Sequence, residues 1–304
     1  MVAAIRRAFD SDLAYSFFRS PTAFPSAIVA AICIGAALLA PWIAPHNPFD
    51  LASLNLLDSF TSPAWTEEGN PLYLLGTDDQ GRDVLSAIMY GARISLLVGF
   101  CAVVFSTVLG VALGLIAGYL GGLTDAVLMR IADIQLTFPT ILIALLIDGT
   151  VRAVLPREVH DQIAIYVLIF AIGISNWPQF ARTVRGSTLV ERNKEYVQAA
   201  RVIGLSSWRI MVSHVLPNAV GPVLVIATLA LGGAILAEAT LSFLGVGVPP
   251  TRPSLGTLIR IGNDFLFSGE WWITVFPGMG LAIMVLSVNL LGDWLRDALN
   301  PKLR

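Results

Sequence analysis

Charge is scarce in this sequence of 304 residues: Asp, Glu, Lys and Arg make up 13% of it, against about 25% in an average soluble domain. Lysine is scarcer still. Lys194 follows Asn193 and Lys302 follows Pro301, so the Gly-Lys pair of a phosphate-cradling P-loop is missing. Cysteine is limited to Cys33 and Cys101, both inside long apolar runs, where a thiol behaves as a small hydrophobe. The three histidines (His46, His160, His214) stand far apart, and a zinc site needs about four N/S ligands. Neither HExxH nor GxSxG occurs. The net charge of −2 offers no basic excess for nucleic acid. What is abundant is apolar: 56% of the residues, with a mean hydropathy of +0.74. So little polar surface excludes an ordinary soluble enzyme, a disordered chain and a disulfide scaffold, and leaves a polytopic membrane protein.

A spanning helix needs about 20 apolar residues. Five stretches qualify: Pro21 to Pro45; Ile94 to Thr124, with its core ending near Gly118; Gln162 to Ala181; Leu205 to Ala237, entering the membrane near Pro217; and Trp271 to Gly292. A sixth, Ile134 to Ile147, lies between Asp133 and Asp148 and is short enough for a re-entrant or buried helix. Lys and Arg concentrate on the cytoplasmic side. With six spans and both ends inside, thirteen of the nineteen cations are cytoplasmic, including Arg6 and Arg7 in the leader, Arg182 to Arg209 in one large loop, and Lys302 and Arg304 in the tail. Without the sixth span that large loop moves outside. The expected organisation is a cytoplasmic leader (1–22), a first span (23–45), an extracytoplasmic loop (46–92), a core of five spans (93–292) with its large cytoplasmic loop at 182–217, and a tail (293–304). Arg6 and Arg7 before an apolar run also suit a signal peptide, but the run is too long for one, and an uncleaved span is the reading. The segment Ala239 to Glu270 is apolar yet interrupted by Gly245, Gly247, Pro249, Pro250 and Pro253; it reads as a broken element against the outer face of the bundle.

The large inside loop carries the functional signal. Glu195 to Ile203 has good helix formers, Gly204 can take the left-handed conformation that ends a helix, and Ser206 or Ser207 can cap the next. Ala199 and Ala200 offer a small-residue face for close packing. Physics alone leaves open an amphipathic helix lying on lipid. The run Gln198-Ala199-Ala200, then Gly204, then Leu216-Pro217, resembles the EAA loop of ABC-importer permeases: E-A-A, three residues, G, nine residues, I, one residue, L-P. It departs at Gln198, where the pattern has Glu, and at His214, where it has Ile.

Further motifs resemble the dipeptide/oligopeptide permease family, C-type subunit: Leu75-Gly-Thr-Asp-Asp-Gln-Gly-Arg-Asp83, Tyr90-Gly-Ala-Arg-Ile-Ser95, Ala237-Glu-Ala-Thr-Leu-Ser-Phe-Leu-Gly245 and Gly292 to Pro301, with Asn300 in place of the usual Asp. The span from Phe24 to Asp50 is similar as well. The resemblance implies an all-α, six-span type I ABC importer transmembrane domain in the bacterial or archaeal inner membrane. It implies a second permease subunit, two cytosolic ABC ATPases that bind ATP and Mg in place of this chain, and an extracytoplasmic solute-binding protein. The subunit itself is then not an enzyme, and holds no cofactor. Carried onto this sequence, ATPase coupling falls to Glu195, Tyr196, Gln198, Ala199, Ala200, Arg201, Gly204, Leu216 and Pro217. The cargo implied is peptide; close relatives carry nickel complexes, glutathione or other small solutes. A self-contained channel or ion-coupled transporter is the rival from another class.

Other residues remain to be placed. Glu238 is an ionisable group at the end of the fifth span, read as a gate, a structural element or a helix-end carboxylate. Gly110, Gly114 and Gly118 repeat at the spacing that lets another helix approach. Trp271 and Trp272 read as interfacial anchors. The Thr77 to Asp83 stretch orders the outer loop, meets a binding protein or holds an ion, with loop ordering favoured. Asp133 and Gln135 line the path or face the cytosol.

Overall fold

The computed structural model describes residues 12–50 and 54–299. Arg6, Arg7, Asn300, Pro301, Lys302 and Arg304 lie outside the described residues. Regular structure among the described residues is helical, apart from one isolated bridge between Thr77 and Asp83. The helices are α1 (Asp12–Arg19), α2 (Ala23–Ile43), α3 (Val84–Leu120), α4 (Gly122–Leu136), α5 (Thr140–Val154), α6 (Arg157–Glu191), α7 (Glu195–Val202), α8 (Ser207–Ile210), α9 (Leu216–Ala219), α10 (Gly221–Phe243), α11 (Leu255–Asn263) and α12 (Trp272–Leu299).

Five of them, α2, α3, α6, α10 and α12, are long and apolar enough to cross a membrane. The doubtful sixth segment is α4 and α5, bent by 90° at a short break; counted as one crossing, the pair brings the total to six. Pro139 explains the break. It donates no hydrogen bond and disfavours helical backbone at Phe138, yet it starts α5 well, because the first turn of a helix needs no such donor.

Several helices outrun the apolar stretches that announce them. Asp83 caps α3, its Oδ2 accepting from Ser86 N at 2.9 Å, so the first nine residues of α3 belong to what reads as outer loop. At the other side α6 continues to Glu191 and takes the first ten residues of the 182–217 loop. Helix α12 runs past residue 292. Backbone hydrogen bonds extend a helix beyond the bilayer whenever a cap is available, so hydropathy alone underestimates length.

The bundle is centred on α3. Val98, Ile172, Phe180, Val184 and Leu241 form much of its buried core with α6 and α10. The glycine repeat faces α6. A Cβ on Gly110 would lie 2.7 Å from Trp177 O, one on Gly114 2.9 Å from Ala181 Cα, and one on Gly118 2.7 Å from Thr188 Cβ. Small residues here let two backbones meet, as the spacing predicts.

The outer loop is ordered by its own polar residues. Asp78 accepts from Gln80 N and Arg82 N at 2.9 Å each, and its Oδ2 pairs with Arg82 Nε at 2.6 Å. Desolvation, then the Asp78 charge, push the neighbouring Asp79 carboxyl above its ordinary range. Trp272 differs from the expected anchor: it is buried, and its Nε1 donates to Thr77 O at 3.0 Å. It pins α12 to the loop, and only Trp271 stays open to the surroundings. The Ala239 to Glu270 segment packs as expected, with Leu255 and Leu258 of α11 buried against the bundle.

Substituting Gly114→Val should cost about 1–3 kcal/mol or more of stability, the usual effect of forcing extra carbons into a packed core. The Cβ of Gly186→Ala, also in α6, meets no atom within 4 Å, so that variant should be neutral or slightly stabilising. Thermal unfolding of the two purified variants checks this; equal melting points would show that the seam is not packed.

Candidate coupling loop

The loop between α6 and α10 begins with a turn at 192–194 and enters α7 at Glu195. Val197 and Ala200, three residues apart, point into the core, and Ala199, Gln198 and Arg201 point out. The two alanines therefore do not form a single outward face; Ala200 is 4% exposed. Helix α7 ends at Gly204, whose φ of +85° lies in the left-handed region. Gly204 N donates to Arg201 O at 3.0 Å and Leu205 N to Ala200 O at 3.1 Å. This pair of bonds is the Schellman stop. Ser206 then caps α8, its Oγ accepting from Arg209 N at 3.4 Å.

Beyond α8 the backbone widens into a π turn (Met211–Val215) before α9. Pro217 is the reason: it has no N–H, and its ring crowds the carbonyl four residues back. Leu216 is half-buried and Pro217 exposed.

Side chains fix the loop to the bundle at two places. Tyr196 Oη donates to Glu191 Oε2 at 2.6 Å and accepts from Asn218 Nδ2 at 3.1 Å, tying α7 to the end of α6 and to α9. Partial desolvation and the Glu191 carboxylate hold the Tyr196 phenol above its ordinary range. At the second place Arg192 Nη1 donates to Gly118 O at 2.8 Å and to Tyr119 O at 3.3 Å, satisfying carbonyls at the end of α3. The Arg201 guanidinium lies over the Tyr119 ring, 5.2 Å from its centre.

Apolar residues left uncovered complete the surface. Val202 is 87% exposed, Ile203 78% and Trp208 67%. None stands out in the motif, although Val202 falls off the buried stripe of Val197 and Ala200, a signal readable from helical spacing; Ile203, three residues on from Ala200, is exposed because the helix has ended.

Polar residues elsewhere tie helices together. Asp133 pairs with Arg182, and Arg185 with Asp125, where Nη2 to Oδ2 is 2.6 Å. Gln135 donates to Ile174 O and accepts from Trp177 Nε1, the latter at 2.7 Å. Both Asp133 and Gln135 thus join α4 to α6. Glu238 is fully buried in α10; its Oε1 accepts from Ser242 Oγ at 2.8 Å, and the hydroxyls of Ser95 in α3 and Ser254 before α11 lie beside the carboxylate. Among the described residues no group of three or more His, Cys, Asp or Glu is placed to hold a metal ion.

The family described as "Binding-protein-dependent transport system inner membrane component" matches residues 110–304. The chain belongs to this family. Among curated relatives of these inner membrane components, the "Dipeptide transport system permease protein DppC" of Haemophilus influenzae is 41% identical over 267 residues, covering 88% of this chain and 86% of the relative. The Escherichia coli K12 protein of the same name is 43% identical over 288 residues, covering 95% and 91%. The "Di/tripeptide transport system permease protein DppC" of Pseudomonas aeruginosa is 39% identical over 289 residues, with the same coverage. Among solved structures, an inward-facing form of the MetNI methionine ABC transporter aligns with a TM-score of 0.54 at 20% identity, over 70% of this chain and 96% of the other. A second form gives 0.53 at 22%. At such identities the likeness shows the fold alone, the transmembrane architecture of an ABC importer.

A Cβ at Gly204 would meet no atom within 4 Å, so only its backbone conformation resists substitution. Gly204→Ala and Gly204→Arg should each lose about 1 kcal/mol, the cost of a left-handed L-residue. Matched unfolding curves of the purified chain check this; a much larger loss for the arginine would show that the position is packed within the chain.

Proposed function

We propose that this chain is the non-catalytic permease subunit of an ATP-driven importer of di- and oligopeptides. Identity of about 40% to dipeptide permeases along nearly the whole chain carries the reading. The sequence has no nucleotide-binding motif, while its large cation-rich loop presents Val202, Ile203 and Trp208 uncovered. Those are the properties of a part that is moved by ATPases. In this reading the outward residues of the loop (Glu195, Tyr196, Gln198, Ala199, Arg201, Gly204 and Pro217) meet one cytosolic ABC ATPase. Ala200 and Leu216 hold the loop's shape from behind. A second permease completes the path, an extracytoplasmic binding protein delivers peptide, and the two ATPases bind ATP and Mg. Glu238 serves as a structural carboxylate joining α10, α3 and the segment before α11.

The proposed site is the bacterial or archaeal inner membrane, with both termini cytoplasmic, as the thirteen-to-six distribution of cations favours. Cysteines introduced at Glu67 and Lys194 should then label from opposite sides of the membrane; labelling from one side overturns the topology.

Energy coupling is tested with the assembled complex in vesicles. Peptide uptake should require ATP and loaded binding protein, and the isolated chain should bind no nucleotide. Gly204→Arg should abolish most uptake at normal assembly, while Gly204→Ala, with the same backbone cost, should retain much of it. Uptake by this chain alone, driven by an ion gradient, would falsify the reading and favour a self-contained transporter.

A further inference from the structure

The motif Tyr90-Gly-Ala-Arg-Ile-Ser95 has no part in the coupling loop, and the structure divides it between two faces of α3. Gly91 and Ser95, one turn apart, receive the start of α11. A Cβ on Gly91 would lie 3.2 Å from Leu255 N, and Ser95 Oγ accepts from that same Leu255 N at 3.3 Å. Tyr90, Arg93, Ile94 and Leu97 recur at the spacing of a second helical stripe, and all four line a cavity of about 500 Å³. Packing accounts for the first face and leaves the second unexplained.

Helix α6 supplies Ile165 to the cavity, and the segment after α10 supplies Thr251 and Arg252. A smaller chamber of about 270 Å³ shares Ile165, Thr251 and Arg252 and adds Asp161. The two spaces are therefore neighbours, with Arg93 in the larger, Asp161 in the smaller and Arg252 at the boundary that both share. Both arginines are exposed to this space. Among the described residues neither guanidinium has a carboxylate within ion-pair distance or a side-chain hydrogen bond, whereas Arg82, Arg152, Arg182 and Arg185 all have acidic partners. Among the described residues the Asp161 carboxylate has one ion-pair partner, His160 Nδ1 at 3.7 Å.

Two guanidinium forks without a carboxylate partner among the described residues, beside apolar walls and followed by an exposed carboxylate that meets only a histidine at 3.7 Å, are complementary to a small zwitterion. A guanidinium binds a carboxylate through two parallel hydrogen bonds, and a carboxylate binds an ammonium. Ile94, Leu97 and Ile165 present no polar group that would choose among side chains. Fixing the ends while ignoring the middle suits a peptide of varied sequence. The volume is within the ordinary range for small-ligand sites, about 300–1,000 Å³.

We propose that this cavity is a peptide way-station, in which Arg93 and Arg252 hold the terminal carboxylate and Asp161 the terminal ammonium. The proposal rests on the peptide-import reading above and adds the subsite to it.

The test uses the assembled complex in nanodiscs, without binding protein, and measures equilibrium binding of trialanine and of its C-terminal carboxamide. The intact complex should bind trialanine in the millimolar range and the carboxamide about tenfold more weakly, the usual scale for one charge-assisted pair. In Arg93→Gln the preference for trialanine should shrink, and in the double variant Arg93→Gln/Arg252→Gln it should vanish, with trialanine at the level of the carboxamide; Arg93→Lys should restore part of it. Unchanged binding in Arg93→Gln overturns the proposal, and so does an equal loss for both peptides. A loss confined to nanodiscs containing phosphatidylglycerol would overturn it in favour of a lipid phosphate on the arginines. Failure of Arg93→Gln to co-purify with the second permease would overturn it in favour of an interchain ion pair. ATP-driven uptake of trialanine with binding protein is measured in parallel. If the intact complex takes up no peptide, the import reading fails; if uptake is normal but the preference survives Arg93→Gln/Arg252→Gln, only the way-station fails.

Discussion

Backbone meets backbone where α3 crosses α6, and the arrangement of the other helices follows from that contact. Gly110, Gly114 and Gly118 place the two helices so close that a single added carbon at each would overlap Trp177, Ala181 or Thr188. In a bilayer there is no hydrophobic gain from hiding one apolar side chain behind another, so helices are held by close packing and by hydrogen bonds. Both act on α6: close packing on its α3 side and hydrogen bonds on its α4 side. Gln135, Asp133 and Asp125 of α4 bond to Ile174, Trp177, Arg182 and Arg185 of α6, which anchors the first half of the bent crossing against the same helix.

The outer face uses a different means. Its backbone is irregular and needs partners, and short polar side chains supply them. Asp78 and Asp83 accept from five backbone and side-chain donors close in sequence, and Trp272 reaches across from α12 to Thr77. The Phe60 ring meets Phe265 edge-on, with centres 5.0 Å apart. Loop and final helix are thus joined by both polar and aromatic contacts.

Apolar run length makes five of the crossings legible in the sequence, because 20 residues without charge have few other uses. The break at Gly204 is legible for a similar reason: a glycine followed by serines between two helix-forming runs has one economical backbone solution. Other features depend on long-range contact. Nothing near Trp272 indicates that Thr77 will accept its N–H. The inward turn of Ala200 and outward turn of Ala199 follow from where α7 sits on the bundle, which a local motif does not encode. The 90° bend at Pro139 is not legible, because a proline before a helix and a proline within a kinked one look alike in one dimension. The ends of α3 and α6 lie beyond their apolar stretches, since capping, not hydropathy, decides them.

Helix α3 connects the two places where this chain has chemistry to offer. Its 37 residues make a rod of about 55 Å. At one end Arg192 holds the carbonyls of Gly118 and Tyr119, and Arg201 covers the Tyr119 ring. At the other end the same helix carries Tyr90 and Arg93 in the cavity and receives α11 at Gly91 and Ser95. Between them the glycine seam fastens the inner half to α6, and Gly99 brings the outer half against Ile235 of α10. A continuous helix bends little without a proline, a bulge or a broken ladder, and α3 contains no proline. Under the coupling role proposed here, a displacement of α7 therefore reaches the cavity by rigid motion of one element. No relay of small side-chain shifts is required: the two arginine contacts, with the packing of Val197 and Ala200 in the same buried cluster as Leu115 and Tyr119, join the loop to the helix directly.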